Sequence, residues 1–177
     1  MRRGTGRRAA WVSFGVGLAI LVVAVLTTAP ITISGESMSP AIQNGDLLVM
    51  STIAYDVRLP DRGDIVVLKD PANLSNRIVK RVVGLPGESI LIRAFAVYVD
   101  GVRLEEPYLK GRWALTPNWP DVPDSRQGEV IPPAHYFVLG DNRDHSDDSR
   151  VFGAVPLTQV VGEVVLRLVP VERIGPV

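Results

Sequence analysis

The chain has 177 residues, no cysteine, three lysines against 16 arginines, and a formal net charge of zero. Without cysteine it can hold no disulfide, thiolate metal site or cysteine nucleophile. Four arginines fall in residues 1–8, "MRRGTGRR", leaving a body with 15 basic and 19 acidic residues that offers no electrostatic footprint for nucleic acid.

Residues 9–29, "AAWVSFGVGLAILVVAVLTTA", run for 21 positions without a charge. As a helix they would extend about 31 Å, which matches a hydrocarbon core of about 30 Å. Arginines before the run and none close after it predict a cytoplasmic N-terminus. A cleaved secretory signal shares the basic start, but its apolar part is usually about 7–15 residues long. The best cleavage point, after Ala29, is also followed by Pro30, whose ring restricts the scissile backbone. The expectation is a cytoplasmic tail over 1–8, a retained single-pass transmembrane anchor over 9–29 and an exported body over 30–177. Either reading exports the body, which is long enough for one sizeable core.

Along the body, short β-branched runs alternate with turn residues. "ITI" (31–33) leads into the serine-rich "ISGESMSP" (33–40). Then come "DLLVMS" (46–51), "DIVVLK" (64–69), "RIVKRVVG" (77–84), "SILIR" (89–93), "HYFVLG" (135–140) and "VVGEVVLRLV" (160–169). Each of these six is bounded by Gly, Pro, Asp or Asn, as strands are. "AVYVDGVRLEE" (96–106) sets Asp100–Gly101 between two alternating runs, a hairpin signal. Six prolines with Trp113 and Trp119 crowd residues 107–133, predicting a long irregular excursion. The body reads as an antiparallel all-β domain.

Ser37 is the nucleophile candidate, and the question is what takes its proton. His135 opens a strand and reads as an edge residue. His145 lies in "GDNRDHSDDSR" (140–150) among four aspartates and could complete a Ser/His/Asp set, although the spacing does not force it. Arginine cannot serve as an amine base, so the three lysines stand out. Lys69 and Lys110 read as solvated charges. Lys80 aligns with Ile78 and Val82 on one strand face. It either snorkels past them, forms a structural ion pair, or is buried with a lowered pKa and acts as a neutral amine base. Two other readings fail on detail. A calcium loop from Asp141 lacks Gly at its sixth position and has Phe152 at its twelfth. The "RGD" at 62–64 is better read as a turn opening "IVVLK".

"SGESMSP" (34–40), "RGDIVVLKDP" (62–71), "KRVVGLPGE" (80–88) and "GDNRDHSDDSRVFG" (140–153) occur in this order after the apolar run. Together they resemble the four sequence blocks of type I signal peptidase, the membrane-bound Ser/Lys protease that trims exported preproteins. The resemblance implies a mainly antiparallel catalytic domain with a small inserted β region, here over 94–133. It implies Ser37 as nucleophile, Lys80 as general base, and no cofactor or metal. Ser146 is then expected to hydrogen-bond and orient the Lys80 amine. Asp141 is expected to pair with Arg81, and Asp148 with Arg150, tying the strands that hold serine and lysine. The substrates implied are exported preproteins with small residues at −1 and −3, laid as a strand along "ITI" and "RIV" (77–79). Ile31, Ile33, Met38, Ile42, Ile78 and Val79 would line the pockets, with plain core packing as the alternative. The implied setting is a monomer at the lipid bilayer of the cell membrane, its catalytic body on the outer face.

Two positions depart from the family pattern. Gly35 stands where some members carry a serine that assists the oxyanion hole, leaving the Ser37 N–H with Ser34 as a candidate second donor. His145 stands where the family often has Asn and is read as a neighbour of the site. Rival identities fit less well. A self-cleaving Ser/Lys repressor would carry a DNA-binding domain, and an inert tethered β-domain would have no need of Ser37, Lys80 and Ser146 together.

Overall fold

The computed structural model describes residues 14–18, 22–109, 113, 118–120 and 128–177. Residues 14–18 and 22–27 are helical, with Val22, Val23, Val25 and Leu26 exposed. No helix among the described residues is long and apolar enough to cross a membrane. The expected basic tail, part of the 9–29 run and Lys110 lie outside the described residues.

The helix closes on its threonines. The Thr27 hydroxyl donates to the Val23 carbonyl and the Thr28 hydroxyl to the Ala24 carbonyl, both at 2.8 Å. The chain then enters β1 (Thr28–Thr32) without a loop, and the Thr27 carbonyl accepts from the Thr52 N–H at 2.9 Å. Thr28 and Ala29 therefore belong to the sheet, opposite Ser51 and Met50. The boundary expected after Ala29 falls after Thr27. Back-bonding threonines favour ending a helix there, and Pro30 cannot continue one.

The other strands are β2 (Leu47–Ser51), β3 (Ile65–Asp70), β4 (Asn73–Gly84), β5 (Ser89–Arg93), β6 (Ala96–Val99), β7 (Val102–Arg103), β8 (Glu129–Val130), β9 (His135–Leu139), β10 (Val155–Pro156) and β11 (Val160–Val169). Seven form one sheet in the order β1-β2-β11-β3-β4-β9-β10, and four form a small sheet in the order β7-β6-β5-β8. Every pairing is antiparallel, as the sequence pattern predicts. Asp100 and Gly101 form the β6–β7 turn, both at positive φ. Because β5 pairs with β6, the small sheet opens at Ser89, ahead of the boundary expected at 94. Alternation along β5 explains this: Ile90 and Ile92 pack with Val83, Phe137 and Leu139, so the strand cannot leave its partner.

β3 over residues 65–68 and β4 over residues 79–84 are buried on both faces, while residues 73–77 at the start of β4 are exposed. On one face Val67 and Val79 pack with Ile33, Met38 and Ile42 from the serine-rich turn and with Leu48 and Met50 of β2. On the other, Val66, Leu68 and Val82 pack with Tyr136 and Val138 of β9. Lys80 shares the alternation of Ile78 and Val82, so it points to this second face.

Candidate active site

The serine-rich stretch is a compact turn between β1 and β2. Ile33 and Asp46 close it, with the Ile33 N–H donating to the Asp46 carbonyl at 2.9 Å. Within it the Ser39 N–H reaches the Glu36 carbonyl at 3.0 Å, and the Ile42 N–H reaches the Met38 carbonyl at 2.9 Å. Met38 and Ile42 plug the turn into the core, at 2 % and 0 % exposure. Ser37, one residue before Met38, is left half-buried at the surface. Below the turn Asp46 is buried and accepts from the Gln43 N–H at 3.0 Å. It also pairs with Arg167 at 3.1 Å and Arg173 at 2.6 Å. Gly35 has φ +108, with open space where a Cβ would stand. Backbone conformation, and not crowding, disfavours a serine at that position.

Lys80 is 3 % exposed. Among the described residues no carboxylate lies within ion-pair distance of its amine, so it is not the structural ion pair of the sequence alternatives. Burial pushes the amine below the usual lysine range, with Arg150 acting the same way, against the pull of Asp148, Asp147 and Asp70. Ser37 and Lys80 line one cavity of about 430 Å³, together with Ser34, Ile78, His145 and Asp147.

Two strand edges are unpaired among the described residues, that of β4 on the cavity and that of β1 two residues before Ser34. β1 pairs with β2 alone. β4 pairs with β3 along its length but meets β9 only from Arg81 onward, so Arg77–Lys80 have no second partner among the described residues. Of the six apolar pocket candidates, Ile78 lines the cavity. Ile33, Met38, Ile42 and Val79 belong to the core cluster beneath it, with Ile31 packed against them.

The loop 140–150 brackets both candidates. Asp141 is fully buried and takes a two-pronged grip from Arg81, Nε to Oδ1 at 2.8 Å and Nη2 to Oδ2 at 2.7 Å. This pair ties the loop to β4 beside Lys80. Asp148 pairs with Arg150 at 2.7 Å, but within its own turn, and its Oδ2 accepts the Gly140 N–H at 3.0 Å. The expected tie between strands is made by Arg81–Asp141, while the Asp148–Arg150 pair joins residues two apart within the loop. Ser146 Oγ is buried and has no hydrogen-bond partner among the described residues, so the expected bond to the Lys80 amine is not made here. His145 lines the cavity; His135 bonds through Nδ1 to the Pro133 carbonyl at 2.8 Å, as befits a strand edge.

Residues that were not singled out also hold the site. The Asn142 N–H donates to the Ser37 carbonyl at 2.9 Å and its side chain to the Glu36 carbonyl at 3.2 Å. A Cβ on Gly140 would stand 2.2 Å from Ser146 Oγ and 2.5 Å from the Ser37 carbonyl oxygen, so only glycine allows this approach. Ser149 Oγ accepts the Val138 N–H at 2.9 Å, joining loop to β9. The turn-rich composition of "GDNRDHSDDSR" was the only signal for these contacts.

An antiparallel β domain that presents a serine and a buried, unpaired lysine to one cavity has the parts of a Ser/Lys hydrolase. The sequence profile of the family described as Signal peptidase, peptidase S26, matches residues 7–169. Signal peptidase IB of Staphylococcus aureus (strain Mu50 / ATCC 700699) is 36% identical over 169 residues, covering 90% of this chain and 87% of its own. Signal peptidase I of Bacillus caldolyticus is 37% identical over 176 residues, covering 95% and 93%. A crystal structure of a signal peptidase I from Enterococcus faecalis V583 is 37% identical and covers 59% of this chain and 95% of its own, with a TM-score of 0.48. The chain belongs to the signal peptidase family, peptidase S26, and is a peptide hydrolase of that family.

Proposed function

We propose that the chain is a membrane-anchored endopeptidase that removes signal peptides from exported preproteins with a Ser37/Lys80 dyad, cleaving after small residues at −1 and −3. The observation that carries this is the shared cavity of Ser37 and a buried Lys80 with no carboxylate partner. Burial favours the neutral form of the amine, which is the form that can accept the serine proton.

In the reaction, Lys80 Nζ takes the Ser37 Oγ proton as Oγ bonds to the scissile carbonyl carbon, and the carbonyl electron pair moves to oxygen. The Ser37 N–H holds that oxyanion, with Ser34 on the same cavity as the second donor. Collapse breaks the C–N bond, and the Lys80 ammonium protonates the leaving amine, the new N-terminus of the mature protein. Water then gives a proton to Lys80 as its oxygen bonds to the acyl carbon; collapse breaks the acyl–Oγ bond, Lys80 returns the proton to Ser37 Oγ, and the signal peptide leaves as a carboxylic acid. Ser146 serves by orienting the amine once substrate fills the cavity, and Arg81–Asp141 holds the lysine strand to the loop.

The substrate lies as an added strand between the free edges of β1 and the first part of β4, through main-chain hydrogen bonds. Ile31 and Ile78 flank its side chains, while Ile33, Met38, Ile42 and Val79 form the floor, which admits only small groups because it is already packed core. The apolar run at 9–29 supplies the single-pass anchor, its helix ending at Thr27, with the arginine-rich tail in the cytoplasm and the body on the outer face. Ser37 follows that run by eight residues, which keeps it at the depth where a signal helix ends.

The test uses the full-length protein in vesicles with a preprotein carrying alanine at −1 and −3. Wild type cleaves it, while Ser37→Ala and Lys80→Arg lower the rate by at least about 10²–10⁴-fold. Normal processing by both variants would overturn the dyad. The anchor has its own readout: the mature N-terminus stays within residues 1–8, and a terminus near Pro30 would overturn it.

A further inference from the structure

Glu106, in the inserted region just after β7, has both carboxylate oxygens engaged. Its Oε1 accepts from Arg143 Nη2 in a short contact and from the Tyr108 hydroxyl at 2.6 Å, and its Oε2 accepts from Arg143 Nη1 at 3.1 Å. The side chain is 6 % exposed and that of Arg143 is fully buried. Neither partner is visible to its neighbours in sequence, since 37 residues separate them.

Both partners lead to the site. Arg143 Nε donates to the Gly140 carbonyl at 3.0 Å. Gly140 is the residue whose missing Cβ lets Ser146 Oγ and the Ser37 carbonyl close in. Tyr108 lays its ring against the Arg81 guanidinium, 4.1 Å from the ring centroid. Arg81 is the neighbour of Lys80 and grips Asp141. A single carboxylate thus braces the loop at Gly140 and, through the tyrosine ring, the strand at Arg81. Buried arginine forked by a carboxylate fixes both direction and distance, and a displacement of about 1 Å at a site can cost about 100-fold in rate.

We propose that Glu106 is a positioning residue for the reaction, acting through Arg143 and Tyr108, so that the inserted region sets the geometry between loop 140–150 and the lysine strand. The proposal rests on the Ser37/Lys80 reading. It predicts an effect on turnover and not on substrate affinity, because neither Glu106 nor Tyr108 lines the cavity of Ser37.

The experiment measures kcat and KM per folded enzyme, with thermal unfolding alongside, for wild type, Ser37→Ala, Glu106→Ala, Glu106→Gln and Tyr108→Phe. Glu106→Ala lowers kcat by about 10- to 100-fold with KM changed by less than about threefold. Glu106→Gln recovers much of that loss, since an amide oxygen still accepts from Arg143 and Tyr108. Tyr108→Phe keeps the ring over Arg81 and loses only the hydroxyl bond, giving the smallest fall in kcat. A folded Glu106→Ala enzyme with wild-type kcat, or a loss that lies wholly in KM, overturns the proposal. Where Glu106→Ala fails to fold, the other two variants decide: wild-type kcat in both overturns it, and a graded fall supports it. Cleavage by Ser37→Ala at the wild-type rate sinks the dyad itself, and with it this inference, and is read independently of the Glu106 series.

Discussion

Two buried charged regions flank the serine turn, and they solve the same electrostatic problem in opposite ways. Below the turn, Asp46 is gripped by Arg167 and Arg173, and Arg167 also donates to the Ala41 carbonyl. Two guanidinium groups share one buried carboxylate there, and these ties hold the turn in place. Lys80 is similarly removed from water, but among the described residues no carboxylate lies within ion-pair distance of it. Pairing it would stabilise the ammonium and remove the base that the proposed dyad requires. The first region holds the turn in position; the second leaves an amine suited to the role proposed for it.

The largest way to break this contrast is Lys80→Met. Activity is expected to fall by about 10²–10⁴-fold at least, and one consequence lies in stability. A lysine whose folded-state pKa is lowered binds fewer protons folded than unfolded, so stability rises with pH from the lowered value up to the ordinary value of 10.5. Urea midpoints of wild type measured across that window should climb relative to those of Lys80→Met. Parallel curves would mean that the amine is charged in the folded protein. The activity profile has the same origin: kcat/KM should reach half its plateau well below 10.5.

Next in size is Asp46→Ala, which strands two arginines under the turn. The expected cost is about 3 kcal/mol of unfolding free energy, the lower end for a broken buried pair because Arg173 keeps partial contact with water. Denaturant unfolding checks it, and a loss under about 1 kcal/mol would show that the region is solvated in practice. The smallest effect belongs to His145→Asn. His145 is exposed at the cavity rim, and its exchange should leave stability within about 0.5 kcal/mol and most of the activity intact. A collapse of rate in a folded protein would instead make the histidine the base.

The sequence was most legible where one physical signal dominated. β5 and β11 match their predicted runs residue for residue, since β-branched alternation between turn residues leaves little choice. Asp141–Arg81 and Lys80 were legible through the family blocks, which carry their pairing in a fixed order. The start of β1 was not, because "TTAP" continues an apolar run and nothing polar marks the switch from helix to strand. Glu106–Arg143 was invisible for a different reason. The two meet only because the inserted region folds back on the loop, and no local pattern encodes a contact between residues so far apart.

The joint at Thr27 has a mechanical meaning. A helix that passes straight into a paired strand, with its last carbonyl fastened to Thr52, contains no hinge. A domain on a floppy tether searches a hemisphere of orientations and meets a target by chance; a domain mounted this way inherits the tilt and azimuth of its shaft. In the anchored protein proposed above the cleft has a heading as well as a height, and two or three glycines inserted between Thr27 and Thr28 would set it adrift.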